Sequence, residues 1–374
     1  MLHIASGDRW AGAEVQLYTL LSQLQRRDDI EPRAILMNDG ELAERLRAIA
    51  VPVDILDESR LSAIAILRGL RLLLAQHRPD IVHTHRQKEN ILGAIANRLS
   101  VRAASLRTVH GAEEHPPRGL RQLPKRLIRA LDRWVGNHLH QRVIAVSQPL
   151  AELLAAQFVT EQIAVIENGV DIDAVRATVK PVEFREREPQ AIHIGLVGRL
   201  DPVKRVDIFL QMARQLCSEE PGKPWRFHVF GDGALRPSLQ QQALQLGLSE
   251  QVYFHGHRRD IASCIAALDA LVICSDHEGL PMTTLEALAI GTPVLAHAVG
   301  GLNTVLSDDS GGLLVKNHSP AGYAQALQHM LTRDHRAMAA QGFEAVQQRY
   351  SAAVNAAHMQ QLYQQLIREK SHRL

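Results

Sequence analysis

The chain has 374 residues, 46% of them hydrophobic, which is enough to bury two hydrophobic cores. Its formal net charge is only +2 and aromatic residues make up 4%, so neither a general attraction to nucleic acid nor a set of base-stacking platforms is expected. The three cysteines are odd in number and lack metal-ligand spacing, which excludes a disulfide scaffold and favours a reducing, cytoplasmic location.

Short apolar runs alternate with helical patterns in the first half of the chain, at positions 2–5, 34–37, 51–56, 81–83, 104–109, 143–146 and 164–166. Because the first run begins at residue 2, we expect no signal peptide, and no run reaches the ~18 apolar residues of a membrane-spanning helix. Such alternation predicts a parallel sheet with helical crossovers. We therefore expect a doubly wound α/β domain over residues 1–179.

The loop after the first run carries Gly12, just ahead of a helix expected from about Ala13. A glycine at this position lets backbone approach a bound phosphate, and the N–H groups that begin a helix attract negative charge. The same glycine would also serve as a simple helix entry. The spacing is not G-x-G-x-x-G, so a dinucleotide-binding fingerprint is not supported.

Histidines end two of the predicted strands. His83 and His85 form a His-x-His pair that invites a zinc interpretation, but the sequence offers no third ligand at convincing spacing. We therefore predict no metal, and a structural or acceptor-side role for the pair. His110 follows the run at 104–109 and would either orient a bound ligand or stabilise the strand end.

A basic segment at 118–142 departs from the neutral balance of the chain. Leucines and Trp134 alternate with basic residues at helical spacing, and Asp132 is the only acid. The basic residues are Arg118, Arg121, Lys125, Arg126, Arg129, Arg133 and Arg142. A helix of this kind either lies on an anionic membrane or docks its leucine face on the protein, and the sequence leaves both open.

Residues 180–189 are charged, bounded by prolines and without apolar periodicity, so we expect a linker there. A second alternating series follows, with apolar runs at 192–197, 226–230, 252–254, 271–274, 294–296 and 313–315. It predicts a second doubly wound domain over 190–351. The final segment, 352–374, has helical character and is expected to pack back on the first domain.

The first run of the second series ends at Gly198 and is followed by Arg199 and Lys204. Open α/β sheets bind ligands beyond the carboxyl ends of their strands. A planar guanidinium and a mobile ammonium in such a loop suit a diphosphate, although exposed Lys and Arg side chains are also common without a ligand.

Glu278 and Glu286 lie eight positions apart, with Gly279, Leu280 and Pro281 after the first. Pro281 fits the first position of a helix that should run from Met282 to about Ala289. The free N–H groups of Met282, Thr283, Thr284 and Leu285 would then form an anion site. Eight helical residues span ~12 Å, about the reach from a sugar past two phosphates to a ribose.

These two segments resemble the Gly-Arg-x(4)-Lys and E-x(7)-E motifs of glycosyltransferase family 4, whose members are retaining enzymes with the GT-B fold. The loop at 6–14 is similar to the family's Gly-Gly-x-Glu loop, with Ala11 in place of the first glycine, and 80–85 is similar to its His-x-His strand. Residues 165–171 resemble its Asn-Gly-Val-Asp turn. The resemblance implies two Rossmann-like domains facing across a cleft.

The resemblance also implies roles for individual residues. Glu278, His110, Arg199 and Lys204 would act in catalysis, with His110 facing the transferred sugar. The residues that would bind the donor are Gly12, Arg199, Lys204, Arg258, Glu278, Gly279, Leu280, Met282, Thr283, Thr284, Leu285 and Glu286. Arg258 belongs to the predicted base-binding loop at 255–258, where backbone contacts would dominate.

We therefore expect a retaining transferase that moves a hexose from a UDP- or GDP-sugar to a glycan or lipid-linked acceptor hydroxyl, in the synthesis of envelope glycolipid, lipopolysaccharide or exopolysaccharide. No metal or other cofactor is expected, because the protein's own cations would neutralise the leaving diphosphate. The expected location is the cytoplasm or the inner face of the plasma membrane. The alternatives are a GT-B-like sugar-nucleotide epimerase and a non-catalytic sugar-nucleotide-binding subunit, and a panel of donors tested for slow hydrolysis distinguishes them.

Overall fold

The computed structural model describes residues 1–8, 10–111, 123–306 and 311–371. It divides into two compact units, one formed by Met1–Gly169 with the chain from Ala352 onward, the other by Val170–Ser351. Each unit is built on one parallel sheet covered by helices. The α/β fold predicted from the alternation of apolar runs is confirmed.

The first unit contains a seven-stranded sheet in the order β3-β2-β1-β4-β5-β6-β7. Its strands are β1 (Leu2–Ala5), β2 (Arg33–Leu36), β3 (Val53–Ile55), β4 (Ile81–Thr84), β5 (Ala104–Val109), β6 (Arg142–Ala145) and β7 (Ile163–Val165). The helices between them are α1 (Gly12–Leu24), α2 (Glu41–Ala48), α3 (Ala63–His77), α4 (Gln87–Arg98), α5 (Leu123–His138) and α6 (Gln148–Leu154). The order reverses between β1 and β4, which places a topological switch point beyond their carboxyl ends.

Local sequence explains where several of these elements begin. The strands at the sheet centre are buried on both faces, so β1 and β4 read as continuous runs rather than as alternating ones. Ser62 and Ser147 stand at the N-caps of α3 and α6, where their hydroxyls accept from the backbone N–H of Ala65 and Leu150.

The second unit contains a six-stranded sheet in the order β10-β9-β8-β11-β12-β13. Its strands are β8 (Ile192–Val197), β9 (Trp225–Phe230), β10 (Val252–Gly256), β11 (Ala270–Ile273), β12 (Val294–His297) and β13 (Gly312–Val315). Its helices are α7 (Ile172–Ala177), α8 (Glu183–Arg187), α9 (Val206–Glu219), α10 (Arg236–Gln245), α11 (Ile261–Ala266), α12 (Met282–Ile290), α13 (Leu302–Val305), α14 (Pro320–Leu331) and α15 (His335–Arg349). Here the switch point lies between β8 and β11.

The last helix, α16 (Ala352–Ser371), belongs to the first unit. Its apolar residues Met359 and Tyr363 pack with Leu20, Leu24 and Leu106 in one buried cluster. Asn355 adds polar contacts, since its amide donates to the carbonyl of Glu167 at 2.6 Å and its oxygen accepts from Gln16 at 3.1 Å.

The segment predicted to be a linker, 180–189, is part of the second unit in this structure. It contains α8, buries Val182, and packs Phe184 against His228 with ring centroids 4.2 Å apart. The change of unit lies instead between Gly169 and Val170, about ten residues before the predicted boundary. The charged composition of α8 hid these contacts because they depend on only two apolar side chains.

Candidate functional site

Two loops meet at the switch point of the second sheet. Strands β8 and β11 are parallel neighbours, so the loop at 198–205 and the loop at 274–281 leave the sheet at the same edge. They are joined directly, because the backbone N–H of Asp276 donates to the carbonyl of Val203 at 2.9 Å. The predicted diphosphate loop and the predicted sugar-binding loop therefore form one continuous structure.

Lys204 and Glu278 are in direct contact. Lys204 ends a 3₁₀ helix, Pro202–Lys204, and its Nζ donates to Oε1 of Glu278 at 2.6 Å, with both side chains largely buried. The sequence predicts that Lys204 binds the diphosphate and Glu278 the sugar, but it gives no sign that the two side chains pair. A charge-assisted bond of this kind fixes the position of the carboxylate.

Arg199 lies in the same loop but is more exposed. Its Nη2 is 3.1 Å from Asp201, and 56% of the side chain is accessible. The planar guanidinium therefore keeps surface available for a further ligand, while Asp201 holds it near the loop.

Arg205 organises this loop and was not selected from the sequence. Its backbone is left-handed, with φ of 48°, and its guanidinium donates to Asp276 at 3.1 Å and to both oxygens of Asp207 at 3.0 Å. The hydrogen bonds to Asp207, with Asp276 beside it, raise the pKa of Arg205 above its ordinary value. In the sequence, Arg205 is recognisable only as an arginine next to Lys204, because Asp276, the more distant of its two partners, is far away along the chain.

The helix α12 points its N-terminus at this loop, as the chain enters it directly from Glu278, Gly279 and Leu280. Pro281 is the N-cap rather than the first helical residue as predicted, and no side chain of the described residues caps this end. The N–H groups at Met282 and Thr283 therefore lack helical acceptors, which suits an anion.

Glu286 lies one turn inside α12. It is half-buried, and burial raises the pKa of its carboxyl to about 7. In the part of the chain that the structure describes, no hydrogen bond to this carboxylate is present, and the buried hydroxyl of Thr284 also lacks a partner. Leu285 points into the core and serves packing. Unpartnered polar groups beside an open helix end are typical of a ligand site.

A glycine pair supports the Glu278 loop from behind. The N–H of Gly301 donates to the carbonyl of Gly279 at 2.8 Å. Gly300 has φ of +52°, and a Cβ there would lie 1.8 Å from the carbonyl oxygen of Glu278. This pair is not among the predicted site residues, although a Gly-Gly dipeptide after an apolar run is a recognisable signal of close backbone approach.

Arg258 lies apart from these residues along the sheet. It follows β10, the edge strand two positions from β8, and its guanidinium is bound to Asp260 at 2.8 and 2.6 Å. The structure therefore holds Arg258 in a local ion pair and does not join it to the Lys204–Glu278 pair.

In the first unit, Gly12 is the first residue of α1, with Ala11 as N-cap. No side chain of the described residues caps this end either. Arg86, which follows β4, donates to Asp8 at 3.0 Å and also to Glu14, so the loops after β1 and β4 are tied together at the switch point. Arg9, within the same motif, lies outside the described residues.

His110 adjoins a group of buried histidines. Its Nε2 is 3.3 Å from Nδ1 of His85, and its own Nδ1 is buried without a partner among the described residues. Burial lowers the pKa of His110 to about 4, and that of His83 and His85 well below the ordinary value. These imidazoles are therefore neutral near pH 7.

The expectation that no third histidine accompanies His83 and His85 was wrong. His3 on β1 lies beside them, and one ring nitrogen from each of the three lies within 4.8 Å of the others. A zinc ion prefers such ligands. However, all six ring nitrogens of the trio already have hydrogen-bond partners, so a metal would have to replace the hydrogen bond at each nitrogen it binds.

The basic helix α5 exposes its apolar side chains. Between 42% and 63% of Leu123, Leu127, Ile128, Leu131 and Trp134 is accessible, and Lys125, Arg126 and Arg133 are exposed on the adjoining arc. The alternative that this helix docks its leucine face is wrong. The described part of the segment starts at Leu123, so Arg118 and Arg121 lie outside it.

Other contacts hold α5 on the protein. The guanidinium of Arg107 donates to both oxygens of the buried Asp132 at 2.9 and 3.1 Å. Gly136 packs so closely that a Cβ there would lie 2.3 Å from Phe158. No helix within the described ranges is both long and apolar enough to cross a bilayer.

Comparison with known proteins adds sequence relatives to this geometry. A family model described as "Glycosyltransferase Family 4" matches residues 10–174, and one described as "Glycosyl transferases group 1" matches residues 191–333. An Escherichia coli UDP-Gal:α-D-GlcNAc-diphosphoundecaprenol α-1,3-galactosyltransferase is 26% identical over 339 residues, 84% of this chain and 86% of that protein. A D-inositol 3-phosphate glycosyltransferase of Thermobispora bispora is 27% identical, over 97% of this chain and 87% of its own length.

Among solved structures, Anabaena Alr3699/HepE in complex with UDP-glucose matches all of this chain and 99% of its own, with a TM-score of 0.78 and 22% identity. At that identity the likeness supports the fold.

Proposed function

Because the chain belongs to glycosyltransferase family 4, we propose that it is a retaining hexosyltransferase that uses a nucleoside-diphosphate sugar as donor. The observation that carries this proposal is the arrangement at the second switch point. Lys204, Glu278 and the uncapped N-terminus of α12 come together there, so one edge of the sheet offers a cation, a carboxylate and free N–H groups.

The leaving diphosphate determines the role of the cations. Charge on the leaving oxygens grows as the glycosidic bond breaks, so Lys204, Arg199 and the first N–H groups of α12 bind the transition state more tightly than the donor. Lys204 would contact the diphosphate while it remains bonded to Glu278, because an ammonium has three donors.

The two carboxylates would bind the other two parts of the donor, the sugar and the ribose. Glu278, oriented by Lys204, would accept hydrogen bonds from hexose hydroxyls, and Glu286 would accept them from the ribose diol. Arg258 would contribute to the base-binding loop, and His110 would contact the transferred sugar. No general base is assigned, since a leaving-group oxygen would take the proton of the incoming hydroxyl.

The relatives favour a UDP-hexose and a glycolipid or polysaccharide precursor. One relative is named for UDP-Gal and a diphosphoundecaprenol-linked sugar, and HepE holds UDP-glucose. GDP-sugars are also candidate donors, because backbone contacts to the base would bind either nucleotide.

We further propose that α5 lies on an anionic membrane. An exposed apolar strip flanked by Lys125, Arg126 and Arg133 fits a headgroup layer, which accepts apolar side chains and attracts cations at the same depth. The enzyme would then reach a lipid-linked acceptor at the membrane surface.

A donor panel tests the activity. Purified protein is incubated with UDP- and GDP-hexoses, with and without lipid extract as acceptor, and nucleoside diphosphate release is measured. Release with at least one donor, enhanced by acceptor and lost in Lys204→Ala, is expected. Conversion of one sugar nucleotide into another without release would favour the epimerase, and tight donor binding without turnover would favour the non-catalytic subunit.

A further inference from the structure

Six side chains of the first unit form one continuous hydrogen-bonded chain that ends at His110. From the open end, His110 Nε2 is 3.3 Å from His85 Nδ1, and His85 Nε2 is 2.9 Å from His3 Nδ1. The chain continues to the hydroxyl of Tyr363, which is 3.2 Å from His3 Nε2 and 2.7 Å from His83 Nδ1. It ends at Thr108, whose Oγ1 is 2.8 Å from His83 Nε2.

The six side chains, which we name the histidine relay, are neutral, and all of them except the half-buried His110 are buried. His3, His83, His85, Thr108 and Tyr363 are at most 6% exposed. Burial lowers the pKa of the histidines, and a neutral imidazole has one N–H donor and one acceptor nitrogen. A proton on one ring therefore fixes the next ring, except at Tyr363, whose hydroxyl either accepts from one neighbour and donates to the other or accepts from both. Three arrangements then satisfy all five contacts.

The three arrangements differ in the groups they leave unmet. If Tyr363 accepts from both His3 and His83, its own hydrogen lacks an acceptor among the described residues and Nδ1 of His110 presents an unmet lone pair. If Thr108 accepts from His83, every histidine carries its proton on Nε2; the Thr108 hydrogen then has no acceptor among the described residues, and Nδ1 of His110 presents an unmet lone pair. If Thr108 donates to His83 and Tyr363 donates to His3, every histidine carries its proton on Nδ1, and within the described residues the only unmet group of the relay is the N–H at His110 Nδ1. This last arrangement leaves one fewer polar group unmet than either of the other two, and buried unmet groups are costly.

We propose that the histidine relay determines which ring nitrogen of His110 carries the proton. Nδ1 then presents an N–H donor to an oxygen atom of the bound ligand. The hydroxyl of Thr108 fixes the direction from the far end, and His85, His3, Tyr363 and His83 transmit it. They are positioning residues, because none of them needs to touch the ligand.

The proposal deepens the proposed function and rests on it only for the identity of the ligand. In a sugar-nucleotide transferase, the oxygen that accepts from His110 belongs to a hydroxyl of the transferred sugar. A donor N–H cannot take a proton from the incoming hydroxyl, so the relay assigns His110 to orientation and excludes it as general base.

The tautomers can be measured without any assay of activity. Protein labelled with ¹⁵N in histidine gives separate signals for protonated and bare ring nitrogens, and His→Gln variants at positions 3, 83, 85 and 110 assign them. We expect all four residues to carry the proton on Nδ1 at pH 7. Protons on Nε2, a cationic imidazole, or signals of zinc-bound nitrogen with stoichiometric zinc in the purified protein would each overturn the proposal.

Variants at the far end test the transmission. In Thr108→Val the hydroxyl is lost, and we expect a mixture of tautomers at His110, about 10 Å or more along the relay from the change, at the ~3 Å length of each hydrogen bond. Thr108→Ser keeps the hydroxyl and should restore the Nδ1 proton. Tyr323→Phe, which removes another buried hydroxyl but belongs to the second unit, should leave all four histidines unchanged.

Turnover provides a second readout. Thr108→Val should lower kcat with the best donor on the order of tenfold, the effect of about one hydrogen bond, with the donor KM nearly unchanged. Thr108→Ser should recover most of it. Unchanged Nδ1 protonation of His110 in folded Thr108→Val would show that Thr108 does not set the direction, whatever the activity is.

Discussion

At the scale of single residues, the pairing of Lys204 with Glu278 changes what each substitution does. Lys204→Ala removes a leaving-group cation and also releases the carboxylate it orients. We expect the activation free energy of transfer to rise by roughly 2–4 kcal/mol, which lowers kcat, with a smaller loss in donor binding. Lys223→Ala is the matched control, because Lys223 forms an ion pair of the same 2.6 Å with Glu220 at the surface. A Lys204→Ala enzyme with wild-type turnover would refute the assignment of Lys204.

The raised pKa of Glu286 predicts an effect on protein stability rather than on reaction rate. Its pKa is raised by burial to about 7, above the 4.5 of an ordinary glutamate, so the folded protein binds this proton more tightly than the unfolded chain. That contribution to stability is present below pH 4.5 and is lost as pH rises through 7.

Glu286→Gln should therefore stabilise the second unit at pH 8 by roughly 1–3 kcal/mol and have little effect at pH 4.5. Denaturant unfolding of both proteins at the two pH values measures the difference. An equal effect at both would show that ionisation of Glu286 is not the cause. The same variant should weaken binding of the nucleoside diphosphate, whereas Glu278→Gln should leave product affinity nearly intact and lower transfer.

At the scale of elements, Gly300 supports the loop that carries Glu278. A Cβ at φ of +52° and 1.8 Å from a carbonyl oxygen forces that loop to move. Gly300→Ala should lower transfer at least tenfold while circular dichroism stays unchanged. Gly222→Ala, where an added Cβ meets no described atom within 4 Å, should retain full activity.

The exposed strip of α5 makes a prediction about membranes. The protein should sediment with anionic vesicles at low salt, release at high salt and ignore neutral vesicles, because the attraction is screened by ions. Changing Lys125, Arg126 and Arg133 to Gln should abolish sedimentation and leave donor hydrolysis intact.

The matched control for α5 changes Arg60, Arg68 and Arg71, three exposed arginines in and before α3, to Gln. Equal loss in both triple variants would indicate a general charge effect and not a site on α5. Without any vesicle binding, a soluble acceptor becomes the better hypothesis.

At the scale of the whole molecule, the alternating apolar runs predicted the sheets well, because buried parallel strands leave a local signal. The run at 192–197 coincides with β8, and the helix expected from Met282 is α12. The family resemblance is confirmed by the two family models.

What the sequence missed depends on contacts between distant segments. His3 joins His83 and His85 only because β1 and β4 are neighbours, and Tyr363 joins them only because α16 returns to the first unit. The contact of Lys204 with Glu278 likewise requires that β8 and β11 be adjacent. No local sequence pattern encodes these contacts, so only the tertiary structure reveals them.

The most direct test of the account is the stereochemistry of transfer. An α-linked hexose donor is incubated with its best acceptor in excess chelator, and the H1–H2 coupling of the first-formed glycoside is read by NMR. We predict an α-linked product at an undiminished rate, since the protein's own cations and helix N-terminus stabilise the leaving diphosphate. A β-linked product would contradict the retaining mechanism. Loss of turnover in the chelator would contradict the claim that Arg199, Lys204 and the N-terminus of α12 stabilise the leaving diphosphate without a metal.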